Sequence, residues 1–491
     1  MRTRILILSL LCCLVGPRIQ AFSFLGPFKS WQTVDLGYAP NFGDIGGPML
    51  PSETYRWNTP VIYYAYDRSF IEYFGQAGID AIEGAISMLN SVPAASAMSA
   101  DLSEFPLNTR QVNYEAQALN LFDLRSSALS TILEEMGLAN PERWVWTLRS
   151  RVVLPDTSIQ YAVVKYNYDP ITYLPSSYVN GALYTYEVWE LANPTMGIAG
   201  EVKIGDLRTA GYTSVAGGSG FGREQLVQFE QDPDTGNLVS AGGGALFGQY
   251  FFGLTRDDVA GLRRLYGWNN LATESLLPNV DATAGGAWTG SGSTNGVGTN
   301  ATGTVTTTNT VPPAIRPGVD KVRFQRVSYD SVIGQNFNPF LSRYTDYYIT
   351  NSTLRSRTVG RLVTQPDLLF VAKDLGVDAA GIPFRVERTT TASWTNNAAL
   401  NGHDTGIGVP GGGASPDRGG PGVINPSVTI AFSDAYPYWQ NLNPGFVSEG
   451  TAFTPIVWGS FDGTTNAPVV YPVFGGIPLN LLRQLAVQNP Q

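Results

Sequence analysis

The sequence predicts an α+β protein, with its helices in the first half and a strand-rich second half. Three observations predict it. Several stretches before residue 270 repeat apolar side chains at helical spacing. Beyond Val311 the apolar residues alternate instead. The 54 Gly and 32 Pro among 491 residues favour many turns and short strands over long helices.

Taken in order, the first helix is expected after the strand-like run Pro60 to Tyr66 (PVIYYAY), where Ile79, Ile82, Ile86 and Leu89 share a face and Pro93 ends it. A second runs from Leu124 to Met136, with Asp123 as N-cap, Gly137 at its end, and Leu129, Ile132, Leu133 and Met136 facing inward. Trp144 to Val202 is rich in Tyr, Val and Trp, interrupted by Pro and by Asn180-Gly181, which predicts hairpins. A third helix starts at Thr255, where Thr255 and Asp258 have capping-box spacing, and stops at Gly267. Asp281 to Thr310 is almost wholly Gly, Thr, Ser, Asn and Ala, too polar to bury a core, and reads as a linker. Later strands are expected around Val322 to Val327, Leu368 to Phe370, Val428 to Phe432, Ile456 to Trp458 and Val469 to Val473.

Charge and targeting narrow the function. Lys and Arg number 31 against 40 Asp and Glu, a formal charge of −9 with no basic cluster, which excludes a nucleic-acid groove. Arg2 and Arg4 precede an apolar run, Ile5 to Val15, too short to span a bilayer, so residues 1–21 read as an export signal cleaved after Ala21. Both cysteines, Cys12 and Cys13, fall in that segment, leaving the mature chain without thiols. No later stretch reaches transmembrane length, and the expected location is extracellular, cell-surface or periplasmic.

The segment Asp123 to Pro141 (DLRSSALSTILEEMGLANP) resembles the zinc-site helix of matrixin (metzincin) endopeptidases, H-E-x-x-H-x-x-G-x-x-H preceded by D-L-x-x-x-A. Asp123, Leu124, Ala128 and Gly137 match that pattern. The ligand positions do not: Ser130 and Glu134 stand at the two helical histidines, Asn140 at the third, and Thr131 replaces the general-base glutamate. WNTPVIYYAY with its helix resembles the family's opening, and LTRDDVAGLRRLYG its closing helix. The resemblance implies a matrixin-like domain over 55–268 carrying a β-rich insertion of about 110 residues between Pro141 and Phe252, then a flexible linker at 269–310 and a mostly β domain at 311–491.

Ligand supply then decides the chemistry. A catalytic zinc needs three His, Asp, Glu or Cys ligands, and neutral serine is a poor one. The only histidine, His403, lies in the loop NGHDTGIG beside Asp404, with no G-x-S-x-G elbow to complete a triad. Gly406, Gly408 and Gly411 satisfy G-x-G-x-x-G, but Pro410 interrupts it. Asp232, Asp234 and Asn237 lack the downstream glutamate of a calcium loop, and Met196 reads as core or loop rather than a Met-turn remnant. Asn300 and Asn351 open glycosylation sequons. Glu134 reads as a solvated helix residue, and Glu134 and Glu135 face different sides of their helix. The expectation is an exported, non-catalytic, zinc-less metallopeptidase-like protein without cofactors, binding a protein or glycan ligand or serving the cell surface. The alternative is an active secreted hydrolase, either a peptidase with an atypical metal site or a carboxylate-based glycosidase.

Overall fold

The computed structural model describes residues 21–32, 45–156, 159–184, 188–190, 202–204, 247–282, 297–299, 305–307, 311–329, 337–373, 389–390, 393–395, 420–433, 457–472 and 476–488. Residues 1–20 with both cysteines, Met196, the Asp232 loop, Asn300 and the His403 loop lie outside them. The described residues form a mixed α/β architecture whose second half is strand-rich.

A five-stranded sheet contains Val61–Tyr66, the aromatic run singled out in the sequence, as the strand next to one edge. Arg323–Arg326 pairs parallel with one edge of this strand and Leu368–Lys373 with the other. Val428–Ser433 adds a further parallel strand, and Thr389–Thr390 closes that side antiparallel. Parallel strands are buried on both faces, which accounts for near-continuous apolar sequences such as LLFVAK and VTIAFS.

Helix α1 (Arg68–Ser91) packs on this sheet. Asp67 caps it by accepting from the Ser69 amide, and Phe70, Phe74, Ile79, Ile82, Ile86 and Leu89 are buried along one side. Full burial of side chains like Phe70 and Phe74 stabilises by about 1.5–3 kcal/mol each. The helix is interrupted at Gly75, whose φ of 62° only glycine adopts readily. Glu83 fastens the helix to the strand: Tyr64 Oη donates to Oε2 at 2.6 Å and Tyr66 Oη to Oε1 at 3.0 Å. Burial first and then the Glu83 carboxylate push both phenols far above their ordinary pKa.

Among the described residues the remaining α-helices are α2 (Tyr114–Ala118), α3 (Leu124–Glu135), α4 (Pro141–Trp144), α5 (Arg256–Tyr266) and α6 (Leu479–Gln488). Helix α3 begins at its expected cap, where Asp123 accepts from the Ser126 amide. Helix α5 carries the expected box, with Thr255 and Asp258 each accepting from the other's backbone. Asn180 and Gly181, at φ 43° and 89°, make the turn between Tyr178–Val179 and Ala182–Leu183. The described part of the 141–252 segment is mostly short antiparallel hairpins, including Thr147–Val153 with Ile159–Val164.

The organisation differs from the expected succession of modules. Strands beyond residue 311 join the same sheet as Val61–Tyr66. Val457–Ser460 pairs parallel with Leu121–Asp123, and Gly422–Asn425 with Tyr55–Arg56. One hydrophobic cluster runs from Phe22 through Phe370 to Tyr471. Residues 55–268 and 311–491 therefore share a core rather than holding one each. The segment 269–310, expected as linker throughout, supplies Ala272–Glu274 and Val280–Ala282 to a second five-stranded sheet with Ala314–Arg316, Phe340–Thr350 and Thr353–Val363. Crossover connections of this length leave no local sequence period, so alternation reveals the strands but not their partners.

Buried ion pairs cross the same boundary. Arg56 donates to Glu274 at 2.8 Å and to the carbonyls of Leu265, Asn270 and Arg316. Arg316 in turn pairs with Asp346 at 2.7 Å, and Arg361 with Asp367.

Candidate functional site

Helix α3 and the residues just after it carry the positions that the sequence resemblance assigned to a metal. Asp123 fixes its start: the fully buried carboxylate takes the Ser126 amide at 2.9 Å and the Ser126 hydroxyl at 2.5 Å. Burial outweighs these bonds and the nearby Arg125 cation and raises the Asp123 pKa. Ser126 Oγ also accepts from the Phe251 amide, joining the helix to Gln249–Phe251. At the other end Gly137 turns the chain at φ +100°, and a Cβ there would lie 2.2 Å from the Tyr55 carbonyl oxygen. The flanking residues thus cap and terminate the helix as their types require.

The metal positions are built differently. Ser130 and Thr131 are both 0% exposed. The Thr131 hydroxyl donates to the Ser127 carbonyl at 2.9 Å, a bond back along its own helix. Glu134 is half-buried, so the sequence reading of it as a solvated helix residue is only partly right. Glu135, one position on, is 1% exposed and its carbonyl accepts the Trp57 indole at 2.7 Å. The two glutamates thus differ in environment, in line with their positions on different sides of the helix. Asn140 is half-buried at the start of α4, with its carbonyl accepting from the Trp144 amide at 3.2 Å.

This donor set does not fit a zinc ion. Two of the four positions are neutral hydroxyls inside the packed core, one of them committed to a backbone carbonyl, whereas a catalytic zinc needs three anionic or imidazole ligands around an open coordination position. Among the described residues no three His, Cys, Asp or Glu side chains come together as a potential metal site.

Just beyond helix α3, close to Leu138, Ala139 and Pro141, lies a second polar junction that sequence reasoning missed. Asp257, at the second position of α5, accepts the Asn180 amide, and the Asp257 amide donates to Asn180 Oδ1 at 3.1 Å. Asp257 is 0% exposed, and burial raises its pKa well above the ordinary carboxylate value. The Asn-Gly turn was legible, but its docking onto a helix over 70 residues later was not.

A third feature, also missed, is a cation on aromatic rings. Arg149 is 7% exposed and its guanidinium lies 3.9 Å from the Trp31 ring centroid. Trp31 stacks on Tyr166, centroids 6.2 Å apart and planes 22° from parallel.

No family model, curated protein or solved structure matches this chain. Among the described residues no helix is long and apolar enough to cross a membrane.

Proposed function

We propose that the chain is an exported, non-catalytic protein in which a matrixin-like frame serves as structural core, with a binding or cell-surface role toward a protein or glycan ligand. The observation that carries this reading is the burial of Ser130 and Thr131, both 0% exposed at the positions where the resemblance calls for a ligand and a general base. A peptidase needs these positions open to substrate and water; here they are filled with hydroxyls packed inside the helix's own contacts. The retained Asp123 cap and Gly137 turn keep the helix placed, and they serve stability whether or not chemistry follows.

The test is metal analysis of the purified mature protein together with a peptide-cleavage screen. The expected result is substoichiometric zinc and no cleavage above background. Stoichiometric zinc with cleavage abolished by a chelator would reject the reading, as would loss of a measured hydrolase activity in Glu134→Gln with the fold intact.

A further inference from the structure

Five basic side chains are buried among the described residues: Lys29, Arg56, Arg149, Arg316 and Arg361. Four of them have a carboxylate. Lys29 pairs with Glu53 at 2.8 Å, Arg56 with Glu274 at 2.8 Å, Arg316 with Asp346 at 2.7 Å, and Arg361 with Asp367. Arg149 is the exception. It forms no ion pair among the described residues, and its Nη1 is buried without a hydrogen-bond partner. Burying an uncompensated cation is among the most costly arrangements in a folded chain, and a guanidinium does not escape by losing its proton.

The local structure shows why the side chain sits there. Thr147–Val153 and Ile159–Val164 pair antiparallel with a bulge between Leu148 and Ser150, which places Arg149 at the irregularity. Bulges re-aim the side chains they carry and recur at sites of function. Arg149 is thereby laid on the face of the half-buried Trp31, which in turn stacks on the core residue Tyr166. Stacking on the indole attracts the cation through the ring quadrupole but leaves the in-plane N–H groups for an acceptor.

We propose that Arg149 and Trp31, the latter held in place by Tyr166, form a binding site for a monocarboxylate carried on a flat apolar body. The guanidinium fork matches a carboxylate, and the half-buried indole supplies the apolar contact. A single charge is expected on the ligand because one cation is available: Lys29, two residues from Trp31 in the chain, is already neutralised by Glu53. A phosphate dianion would be left half-compensated. None of the three residues belongs to helix α3, so the site stands independently of the matrixin resemblance.

The test is calorimetric titration of the full mature protein with sodium benzoate at fixed ionic strength, with sodium acetate and sodium phosphate as comparisons and thermal unfolding as a second readout. Benzoate is expected to bind saturably and raise Tm, acetate to bind more weakly for want of ring contact, and phosphate to give no saturable signal. Arg149→Met is expected to weaken benzoate at least tenfold. Arg149→Lys, which keeps the charge and loses the fork, is expected to weaken it several-fold, and it carries the test if the Met variant does not fold. Absence of saturable benzoate binding to the wild type, phosphate binding as tight as benzoate, or undiminished binding in the folded variant would each overturn the proposal. A failure here leaves the zinc and cleavage results untouched.

Discussion

Asn180 and Asp257 exchange hydrogen bonds in both directions, so the tight turn of one hairpin is locked to the first turn of α5. The carboxylate is fully buried, and burial holds its pKa well above the usual value, which means that ionising it costs more in the folded chain than in the unfolded one. A raised folded pKa makes a stability contribution that is fully present below the unfolded value, about 3.9, and is lost as pH rises through the folded one. Asp257→Asn keeps an oxygen to accept the Asn180 amide and removes the titration. Unfolding midpoints in urea should therefore move in favour of the Asn variant as pH is raised from 4 to 8. A stability gap between the two proteins that stays constant over that range would contradict the assignment.

The Arg56–Glu274 pair joins the expected first domain to the expected linker, with both side chains nearly inaccessible. Removing one partner leaves the other charged and buried. Glu274→Ala should cost about 3–5 kcal/mol in a denaturant titration. The double variant Arg56→Met/Glu274→Leu should recover only part of that loss, since it removes the uncompensated charge but leaves the Leu265, Asn270 and Arg316 carbonyls without the donor that Arg56 gave them. A Glu274→Ala loss below 1 kcal/mol would show that the pair is more hydrated than its burial implies.

Ser130 offers no room for the imidazole that the resemblance would place there. Ser130→His should lower stability by about 1–3 kcal/mol through overpacking and should not confer zinc binding by itself. Thermal unfolding with and without added zinc measures both effects. A variant as stable as the parent, or one stabilised by zinc, would show that the position opens to solvent.

Gly137 is required twice over, by its left-handed backbone and by the approach of the Tyr55 carbonyl. Gly137→Ala should destabilise by more than about 1 kcal/mol, beyond the intrinsic cost of a left-handed alanine, because the contact cannot relax without moving backbone. An equal or higher midpoint in guanidinium chloride would refute this.

Legibility followed the range of the interactions. The Asp123 cap, the Thr255–Asp258 box and the Asn180-Gly181 turn each depend on neighbours within a few residues, and each was read correctly. The strands at Val428–Ser433 and Leu368–Lys373 were legible, the latter from the alternation of Leu368 and Phe370, but their place in one sheet with Val61–Tyr66 was not, because parallel pairing joins segments far apart in the chain. Glu274 was assigned to a linker from its polar surroundings. Its burial depends on Arg56, which no window around it contains. Arg149 and Trp31 carried no motif, and only the hairpin's bulge brings them together.

The sequence alone determined the caps that start the Leu124–Glu135 and Arg256–Tyr266 helices, the Asn180-Gly181 turn and several of the runs that become strands, and that Ser130, Glu134 and Asn140 are not histidines. These follow from backbone hydrogen-bonding rules and residue chemistry, which act locally. The tertiary structure alone decided that Ser130 and Thr131 are sealed in the core, that residues 55–268 and 311–491 share one sheet, and that Arg149, one of four buried arginines, has no carboxylate among the described residues. Burial and charge pairing arise from which distant segments exclude water from one another, and that is a property of the packed chain.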